Sequence, residues 1–490
     1  MTSSKSTKRA LITSALAILM CAAMLIGATF AWFTDTASTG VNKIVSGNLK
    51  VDIIGADSDS HIEKLNFTKA ATTDAEAGAE ILWEPGCRYL TEGFRIANKG
   101  NLALKWKAQV NTGTTAANEG NFDLLDVIDF YLVTKAADET ETETALDEFT
   151  GNLKKTETSD VYYIKGVMQT TAGNDYQGLT LDGISITVVA TQDTVESDSF
   201  NNQYDKDAEY PILVTTGDEL QAIVSNATAP VNIVLTNSIT TNNFVIPEDK
   251  DVTLDLNGRT VTNAGSHTIL NKGHLTLTDS SADKSGQIIS LKGNTAALRN
   301  GDNAVCVVEG GTISRDGANG NTWHVVENFG KMTFNGGKVV LKNGNGFAIT
   351  NGWNYFDPGA STTHAVMEIN ALELDTDSSG IKNCRYGDLT VNDVTVTSTG
   401  YWALSNDYLG TAVINGGTLT SNSFKAVSNG AAMTVNGGTF DGTAGFFVQS
   451  YATSTVLNGG TFTNMNVNAL SNYVGTGHTA QQSGTSVIIK

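Results

Sequence analysis

The chain has 490 residues, of which 51 are acidic and 31 basic, and its formal net charge is −20. Such an acidic surface repels nucleic acid and anionic lipid, so the sequence excludes both as partners. The length predicts two or three domains, and 49 Gly against 5 Pro favour β structure with many tight turns.

Residues 1–31 form a predicted signal peptide. Basic residues begin it, an apolar run covers 10–28, and small residues end at Ala31. Cleavage is therefore predicted between Ala31 and Trp32, which gives a secreted protein. A retained membrane anchor is the alternative, because the apolar run approaches the length that spans a bilayer.

Residues 32–204 predict an antiparallel β-sandwich, because short alternating apolar segments are separated by turn signals. The candidate strands are 45–54, 94–97, 102–110, 127–133, 161–167 and 184–190. The acidic segment 136–148 predicts an exposed loop or a short helix.

The same region resembles a known family. Residues 27–35 and 46–49 are similar to the N-terminus of TasA/camelysin proteins, which are exported through a SipW-type signal peptidase. Further similar segments are 85–86, 94–98, 100–105, 176–178 and 190–192. The resemblance implies a jelly-roll domain in an extracellular matrix or biofilm fibre of a Gram-positive bacterium.

The resemblance also implies a route to self-assembly. In that family the mature N-terminal segment can insert as a strand into the next subunit, and Trp32 to Leu49 is the candidate donor here. The alternative is that this segment is the first strand of its own sandwich.

The family has been labelled a metallopeptidase. We disfavour that role because His61 is the only histidine in 32–204 and no His-Glu-x-x-His motif exists. No metal site and no cofactor are predicted.

Residues 205–230 predict a linker and a cap for the domain that follows. Thr216 and Asp218 can cap a helix that runs to Ala227, with Leu220 and Val224 on one face. An amphipathic helix at this point would cover the open end of a solenoid.

Residues 231–490 contain a repeated phrase of the form apolar-Asn-Gly-Gly. A repeat of 21–23 residues with three insertions predicts a parallel β-helix of about ten rungs. It resembles the right-handed pectate-lyase type. The equivalent apolar positions are Leu235, Leu256, Leu277, Val308, Phe334, Ile369, Val391, Ile414, Val435 and Leu457.

A second series of asparagines keeps the same spacing, with Ser450 in its place once. Stacked Asn side chains can hydrogen-bond from rung to rung, so we interpret the series as a structural ladder. Its predicted members are Asn271, Asn300, Asn328, Asn351, Asn383, Asn406, Asn429 and Asn472. Cys306 is predicted to be a core residue, and no intrachain disulfide is predicted.

Aromatic residues lie close to this ladder or in the 352–364 insertion. On one face they would form a flat surface that stacks on sugar rings; packing against the insertions is the alternative. The candidate glycan-binding residues are Trp353, Tyr355, Tyr386, Tyr408, Tyr451 and Tyr473.

The best candidate for a catalytic cluster consists of Asp375, Asp377, Arg385 and Asp388. The two aspartates lie in ordinary turn composition, and neighbouring rungs add no carboxylate in register. The sequence therefore predicts no enzyme. It predicts a secreted cell-surface or biofilm-matrix protein, with the sandwich for export and assembly and the β-helix as a stalk or glycan-binding adhesive module. A polysaccharide-degrading lyase or glycosidase is the alternative.

Overall fold

The computed structural model describes residues 48–62, 65–68, 81, 83–111, 114–115, 122–146, 149–182, 185–193, 209–316, 323–353 and 363–490. The predicted signal peptide with its cleavage site at Ala31 and Trp32, most of the candidate donor strand, and Tyr355 lie outside these residues. Among the described residues, no helix combines the length and the apolar character needed to cross a membrane.

The N-terminal part is built of antiparallel sheets that enclose a hydrophobic core, as the sequence predicts. Phe94 and Ile164 of the larger sheet pack with Leu104 and Trp106 of the smaller one, and all four are buried. The strand Leu104–Asn111 alternates buried and half-buried residues along its length, because successive side chains of a strand point to opposite faces.

The larger sheet contains Val51–Gly55, Phe67–Thr68, Arg88–Thr91, Phe94–Asn98, Ile128–Lys135, Glu141–Ala145 and Tyr162–Met168. The smaller sheet contains Leu104–Asn111, Phe149–Leu153 and Ser185–Gln192, and a short pair joins Thr114–Thr115 to Leu181–Asp182.

The acidic segment predicted as an exposed loop or a short helix is an exposed turn at 136–140 and a strand after it. Glu141–Ala145 is an exposed strand that pairs with Ile128–Lys135. Lys165, which is 7% exposed, holds its Nζ 2.9 Å from Glu141 and 2.7 Å from Glu143. Glutamates two residues apart share one side of a strand, so a single lysine reaches both.

The C-terminal part is a parallel β-solenoid of about ten turns, as predicted, with three sheets. Sheet 1 contains Ile212–Val214, Val231–Leu235, Asp251–Asp255, His274–Thr278, Val305–Val308, Lys331–Phe334, Ala365–Ile369, Gly387–Val391, Thr411–Ile414, Ala432–Val435 and Ser454–Leu457. Sheet 2 contains Ile239–Thr241, Thr260–Asn263, Gln287–Ser290, Thr312–Asp316, Lys338–Lys342, Glu373–Thr376, Thr395–Ser398, Thr418–Ser421, Thr439–Asp441, Gly460–Phe462, Ser486–Ile489 and Ala480–Ser483. Sheet 3 contains Phe244–Ile246, Ile269–Asn271, Leu298–Asn300, Val326–Asn328, Phe347–Asn351, Ser379–Asn383, Leu404–Asn406, Val427–Asn429 and Phe446–Val448.

Both ends of the solenoid are covered. At the first coil the α-helix Gly217–Asn226 begins after Thr216, whose side chain accepts a hydrogen bond from the Glu219 amide at 3.2 Å. Its Leu220 and Val224 are fully buried and pack in the solenoid core. At the last coil lie the α-helix Val467–Leu470, the 3₁₀ turn Ser471–Tyr473 and an antiparallel hairpin on sheet 2.

The described sandwich residues contain the 3₁₀ turns Leu124–Asp126 and Asn174–Tyr176.

The sandwich and the solenoid contact each other directly. Asn111 Nδ2 donates to the carbonyl oxygen of Thr236 at 3.1 Å, and Arg259 Nη2 donates to Ser185 Oγ at 2.9 Å. The Lys105 ammonium lies 5.3 Å from the ring centroid of Tyr210.

The solenoid interior is a stack of apolar side chains. The predicted register holds from Leu277 onward, where each apolar position pairs with the next. The prediction was wrong at Leu235 and Leu256, because Leu254 is the partner of Leu277 and Ile233 is the partner of Leu254. Cys306 belongs to this core, and burial raises the pKa of its thiol to about 12. Among the described cysteines, Cys87, Cys306 and Cys384 are all free thiols.

An inner asparagine ladder runs along the corner where sheet 3 turns into sheet 1. Each Asn Nδ2 donates to the Oδ1 of the next Asn at 2.7–2.9 Å and to a backbone carbonyl one rung further on. All members are fully buried. The ladder consists of Asn271, Asn300, Asn328, Asn351, Asn383, Asn406 and Asn429.

Two predicted members do not belong to the ladder. Asn472 lies in the 3₁₀ turn of the C-terminal cap, because the chain leaves the repeat after Gly460–Phe462. Val448, rather than Ser450, occupies the position that pairs with Asn429. Asn429 therefore donates to the Ser454 carbonyl and to Thr455 Oγ1, each at 2.8 Å.

An outer asparagine ladder occupies the turn between sheets 1 and 2. Its Nδ2 groups donate toward the preceding rung, opposite in direction to the inner ladder, and its members are more exposed. The series is Asn335, Asn370, Asn392, Asn415, Asn436 and Asn458.

Replacing Asn383 with Ala should destabilise the solenoid by about 3 kcal/mol, because the Asn406 side chain and the carbonyls of Gly387 and Thr411 lose a buried donor. Guanidinium unfolding followed by circular dichroism measures the change. Asn436→Ala in the exposed outer ladder is the matched control and should cost under ~1 kcal/mol. Equal losses for the two variants would contradict a special role of the inner ladder.

Candidate functional site

The outward side of sheet 3 carries one continuous row of side chains, which we call the sheet 3 face. Because each ladder Asn points inward, the residue directly before it points outward. The row pairs in register from rung to rung. Its residues are Arg299, Glu327, Thr350, Lys382, Ser405, Ser428 and Phe447.

Cations stack on aromatic rings along this face and at its borders with sheet 1 and sheet 2. Lys382 Nζ lies 5.5 Å from the ring centroid of Phe347, and Lys425 Nζ lies 3.4 Å from that of Phe447. The Arg299 guanidinium lies 4.5 Å from the Phe329 ring. Among the described residues of the solenoid, all cation–ring contacts lie on this face or beside it. Each ring face therefore attracts and positions a fixed positive charge.

An ion pair occupies the N-terminal half of the face. Arg299 Nη1 lies 2.8 Å from Glu327 Oε2, and Glu327 is 4% exposed. Burial lowers the pKa of the neighbouring imidazoles of His267 and His324, although the Glu327 charge opposes that shift. Because Glu327 is already paired, we interpret this cluster as a buried support for the face.

The corner between sheets 3 and 1, where the inner ladder lies, adds aromatic and charged groups. Trp353 and Arg385 pair through their backbones on neighbouring rungs. The Arg385 guanidinium lies 4.7 Å from the Tyr386 ring centroid and donates to its Oη at 3.0 Å. His364 Nδ1 lies 2.9 Å from Asp388 Oδ2. The other carboxylate oxygen of Asp388 accepts a hydrogen bond from the Thr411 hydroxyl.

Two exposed tyrosines continue this corner. Tyr408 is 44% and Tyr451 is 54% exposed. Tyr451 Oη lies 3.5 Å from Asp407 Oδ1, and Asp407 Oδ2 lies 3.5 Å from Lys382 Nζ. A side chain at Gly430 would place its Cβ 2.6 Å from Tyr451 Cε2, so this glycine makes room for the ring. The Tyr451 ring therefore lies against the preceding rung at Gly430, where the corner has no aromatic residue of its own.

The structure brings four of the predicted glycan-binding residues to this one corner, namely Trp353, Tyr386, Tyr408 and Tyr451. Trp353 also packs on Phe329 with ring centroids 4.4 Å apart. Tyr473 is elsewhere: it is half-buried in the C-terminal 3₁₀ turn and packs against the core. It cannot contribute to the same surface.

The candidate catalytic cluster is divided in the structure. Asp375 lies on sheet 2 beside Lys342 at 2.8 Å, and Asp377 accepts a hydrogen bond from the Gly344 amide at 3.2 Å. Arg385 and Asp388 lie at the corner described above. The strand Ser379–Asn383 separates the two pairs, so nearness in sequence does not become nearness in space.

The sequence reasoning missed the charged residues of the site, including Lys382, Asp407 and Lys425. A usable signal was present for Lys382, since the outward row consists of the residues directly before the ladder asparagines. Among the described residues, no group of three or more His, Cys, Asp and Glu side chains is arranged to hold a metal ion.

No protein-family model matches the chain, and no curated protein matches its sequence. The resemblance to TasA/camelysin proteins therefore stays a prediction. A solved structure of the catalytic domain of a GH87 α-1,3-glucanase variant in complex with tetrasaccharides aligns with 88% of this chain and 98% of its own, at 10% identity and a TM-score of 0.15. The matched structure is a catalytic domain, which stands against the prediction that the chain is not an enzyme, and that prediction is not kept. A TM-score of 0.15 carries no argument about which activity the chain has.

Burial and the Asp407 charge raise the pKa of Tyr451, because both disfavour the phenolate. Asp407→Asn should lower this pKa without restoring the ordinary value, since burial remains. Ultraviolet difference titration measures it, with Tyr451→Phe in each background as the reference that isolates this residue. An unchanged midpoint in Asp407→Asn would contradict the contact.

Proposed function

We propose that the sheet 3 face and its corner with sheet 1 bind a polysaccharide. The observation that carries the proposal is the convergence of Trp353, Tyr386, Tyr408 and Tyr451 from different rungs on one corner, beside carboxylates and cations. Aromatic faces stack on the C–H faces of sugar rings, while neighbouring polar groups bind hydroxyls.

The spacing of the rungs supports this choice of ligand class. Rungs follow one another at ~4.8 Å, which is close to the length that one pyranose adds to an extended glycan. Asp388 and Asp407 can accept hydrogen bonds from sugar hydroxyls, and the Arg385 guanidinium can donate them.

Replacing Tyr408 and Tyr451 together with Ala should weaken glycan binding by about tenfold, because two stacking faces are lost. The measurement is affinity electrophoresis and calorimetry on a panel of neutral and acidic polysaccharides, using the protein without its predicted signal segment. Tyr401→Ala is the matched control: Tyr401 is 58% exposed but lies on the sheet 2 side of sheet 3. Binding unaffected by the double variant would remove the corner from the site.

Polysaccharide cleavage is a second candidate function. Asp388 and Asp407 both lie at the corner, and glycoside hydrolysis uses two carboxyl groups that flank the scissile bond. Chromatography of the same incubations for shortened or unsaturated products tests it. Products formed by the unmodified protein and lost in Asp388→Asn and Asp407→Asn would establish cleavage, and intact glycans would dismiss it.

We further propose that the protein is secreted through residues 1–31 and assembles through the segment from Trp32 to Leu49. The basic and apolar pattern of the leader and the TasA/camelysin-like residues around it support this part of the proposal. Strand addition at a sheet edge would supply main-chain hydrogen bonds between subunits. The product would be a cell-surface or matrix protein that adheres to glycans through its solenoid.

Deleting residues 32–49 should abolish filaments seen by electron microscopy of the purified protein, since the donor strand is lost. Circular dichroism of the deletion variant checks that the solenoid remains folded. Filaments that persist without the segment would contradict the donor-strand proposal. They would not bear on the proposal that the solenoid binds glycans.

A further inference from the structure

We infer that the polysaccharide bound by the sheet 3 face is acidic, with carboxylate or sulfate groups that meet Arg385 and Lys425. This inference rests on the proposed function and adds the chemical class of the ligand. It runs against the net charge of −20, which by itself predicts repulsion of anions.

Charges are unevenly paired along the corner and the sheet 3 face. Asp388 has His364 as its partner at 2.9 Å, and Asp407 has Lys382 at 3.5 Å. Arg385 and Lys425 have no carboxylate partner among the described residues. Two cations are therefore left without a counter-ion on a protein that has an excess of acids.

Aromatic rings hold both cations in place. Lys425 Nζ lies 3.4 Å from the Phe447 ring centroid and 5.8 Å from the rings of Trp402 and Phe424. Arg385 is fixed over Tyr386, and its Nε is buried without a hydrogen-bond partner. Ring contacts restrain each charge, so an anion binds with little loss of side-chain freedom.

An aromatic surface lies between the two cations. Tyr408 and Tyr451 are exposed at the corner beside this face. Sugar rings that carry acidic substituents present both features at once: an apolar ring face for the aromatic side chains and a charge for the guanidinium or ammonium group.

The carboxylates favour an acidic glycan over a nucleic acid. Asp388 and Asp407 would lie against a phosphate backbone that carries a charge at every nucleotide, and like charges repel. In a glycan with spaced charges, hydroxyl groups can face these aspartates while the acidic groups face the two cations. The two aspartates and the two cations together therefore favour a glycan whose acidic groups are spaced along the chain.

The test compares hyaluronan, alginate and polygalacturonate oligosaccharides with their carboxyl-reduced forms by calorimetry at increasing NaCl. The acidic forms should bind at least about tenfold more tightly at low salt, and the difference should shrink as salt screens the charges. Arg385→Gln and Lys425→Gln should each reduce this preference by about threefold or more. Lys331→Gln, on the exposed side of sheet 1, removes the same charge elsewhere and should have no effect. Lys425→Arg should keep the preference.

The failures of the two proposals are distinguishable. Equal, salt-insensitive binding of acidic and reduced glycans, lost in the Tyr408 and Tyr451 variants, would overturn the acidic ligand and keep the polysaccharide site. No binding to any glycan would overturn both. Tighter binding of an oligothymidylate than of every glycan, sensitive to the same variants, would also overturn both and assign the face to single-stranded nucleic acid.

Discussion

The inner asparagine ladder is the interaction on which the solenoid depends. A corner in a parallel solenoid leaves backbone carbonyls inside the protein, where water cannot reach them, and buried acceptors require donors. Each ladder Asn supplies one donor to the next rung's backbone and one to the next side chain, as Asn351 does toward Asp388 and Asn383. The same residue thus closes its own turn and fixes the register of the following one.

This constraint also determines what the outer surface can present. Since the Asn side chain must point inward, the residue before each ladder Asn lies on the outer side of sheet 3, and its identity is free to vary. The row therefore changes from Arg299 and Glu327 through Lys382 to Ser405, Ser428 and Phe447 while the backbone stays the same. Residues just outside the strand, such as Lys425 and Tyr451, add groups that reach over the row. The scaffold is rigid because of its buried polar network, and its surface chemistry is independent of that network.

Sequence periodicity was sufficient to predict the architecture because each coil of the solenoid repeats the same pattern of apolar and asparagine positions. The apolar positions from Leu277 to Leu457 and the seven ladder asparagines follow from spacing alone. The prediction failed where the repeat stops, at Asn472 and Tyr473, since a cap follows no period. It also failed at Glu141–Ala145, where the strand is stabilised by Lys165 from another strand, a contact that no local pattern contains.

The site was predictable only in part, for a similar reason. Tyrosines near the ladder indicated a shared corner, and the structure places Tyr386, Tyr408 and Tyr451 there. Asp375 and Asp377 were grouped with Arg385 because they are near in sequence, whereas one strand of sheet 3 carries the chain across the solenoid between them. Pairings such as Lys382 with Asp407 join residues 25 positions apart, and they emerge only once the rungs are in register.

The hairpin that closes the solenoid has a consequence for its size. Ser486–Ile489 lies antiparallel on Gly460–Phe462, so the last parallel strand of sheet 2 offers no free edge for another coil. A second solenoid cannot continue this sheet in parallel at that end without displacing the hairpin. The length of the solenoid is therefore set by the number of its rungs, at ~4.8 Å each. A longer or shorter solenoid requires the gain or loss of whole repeats in the gene.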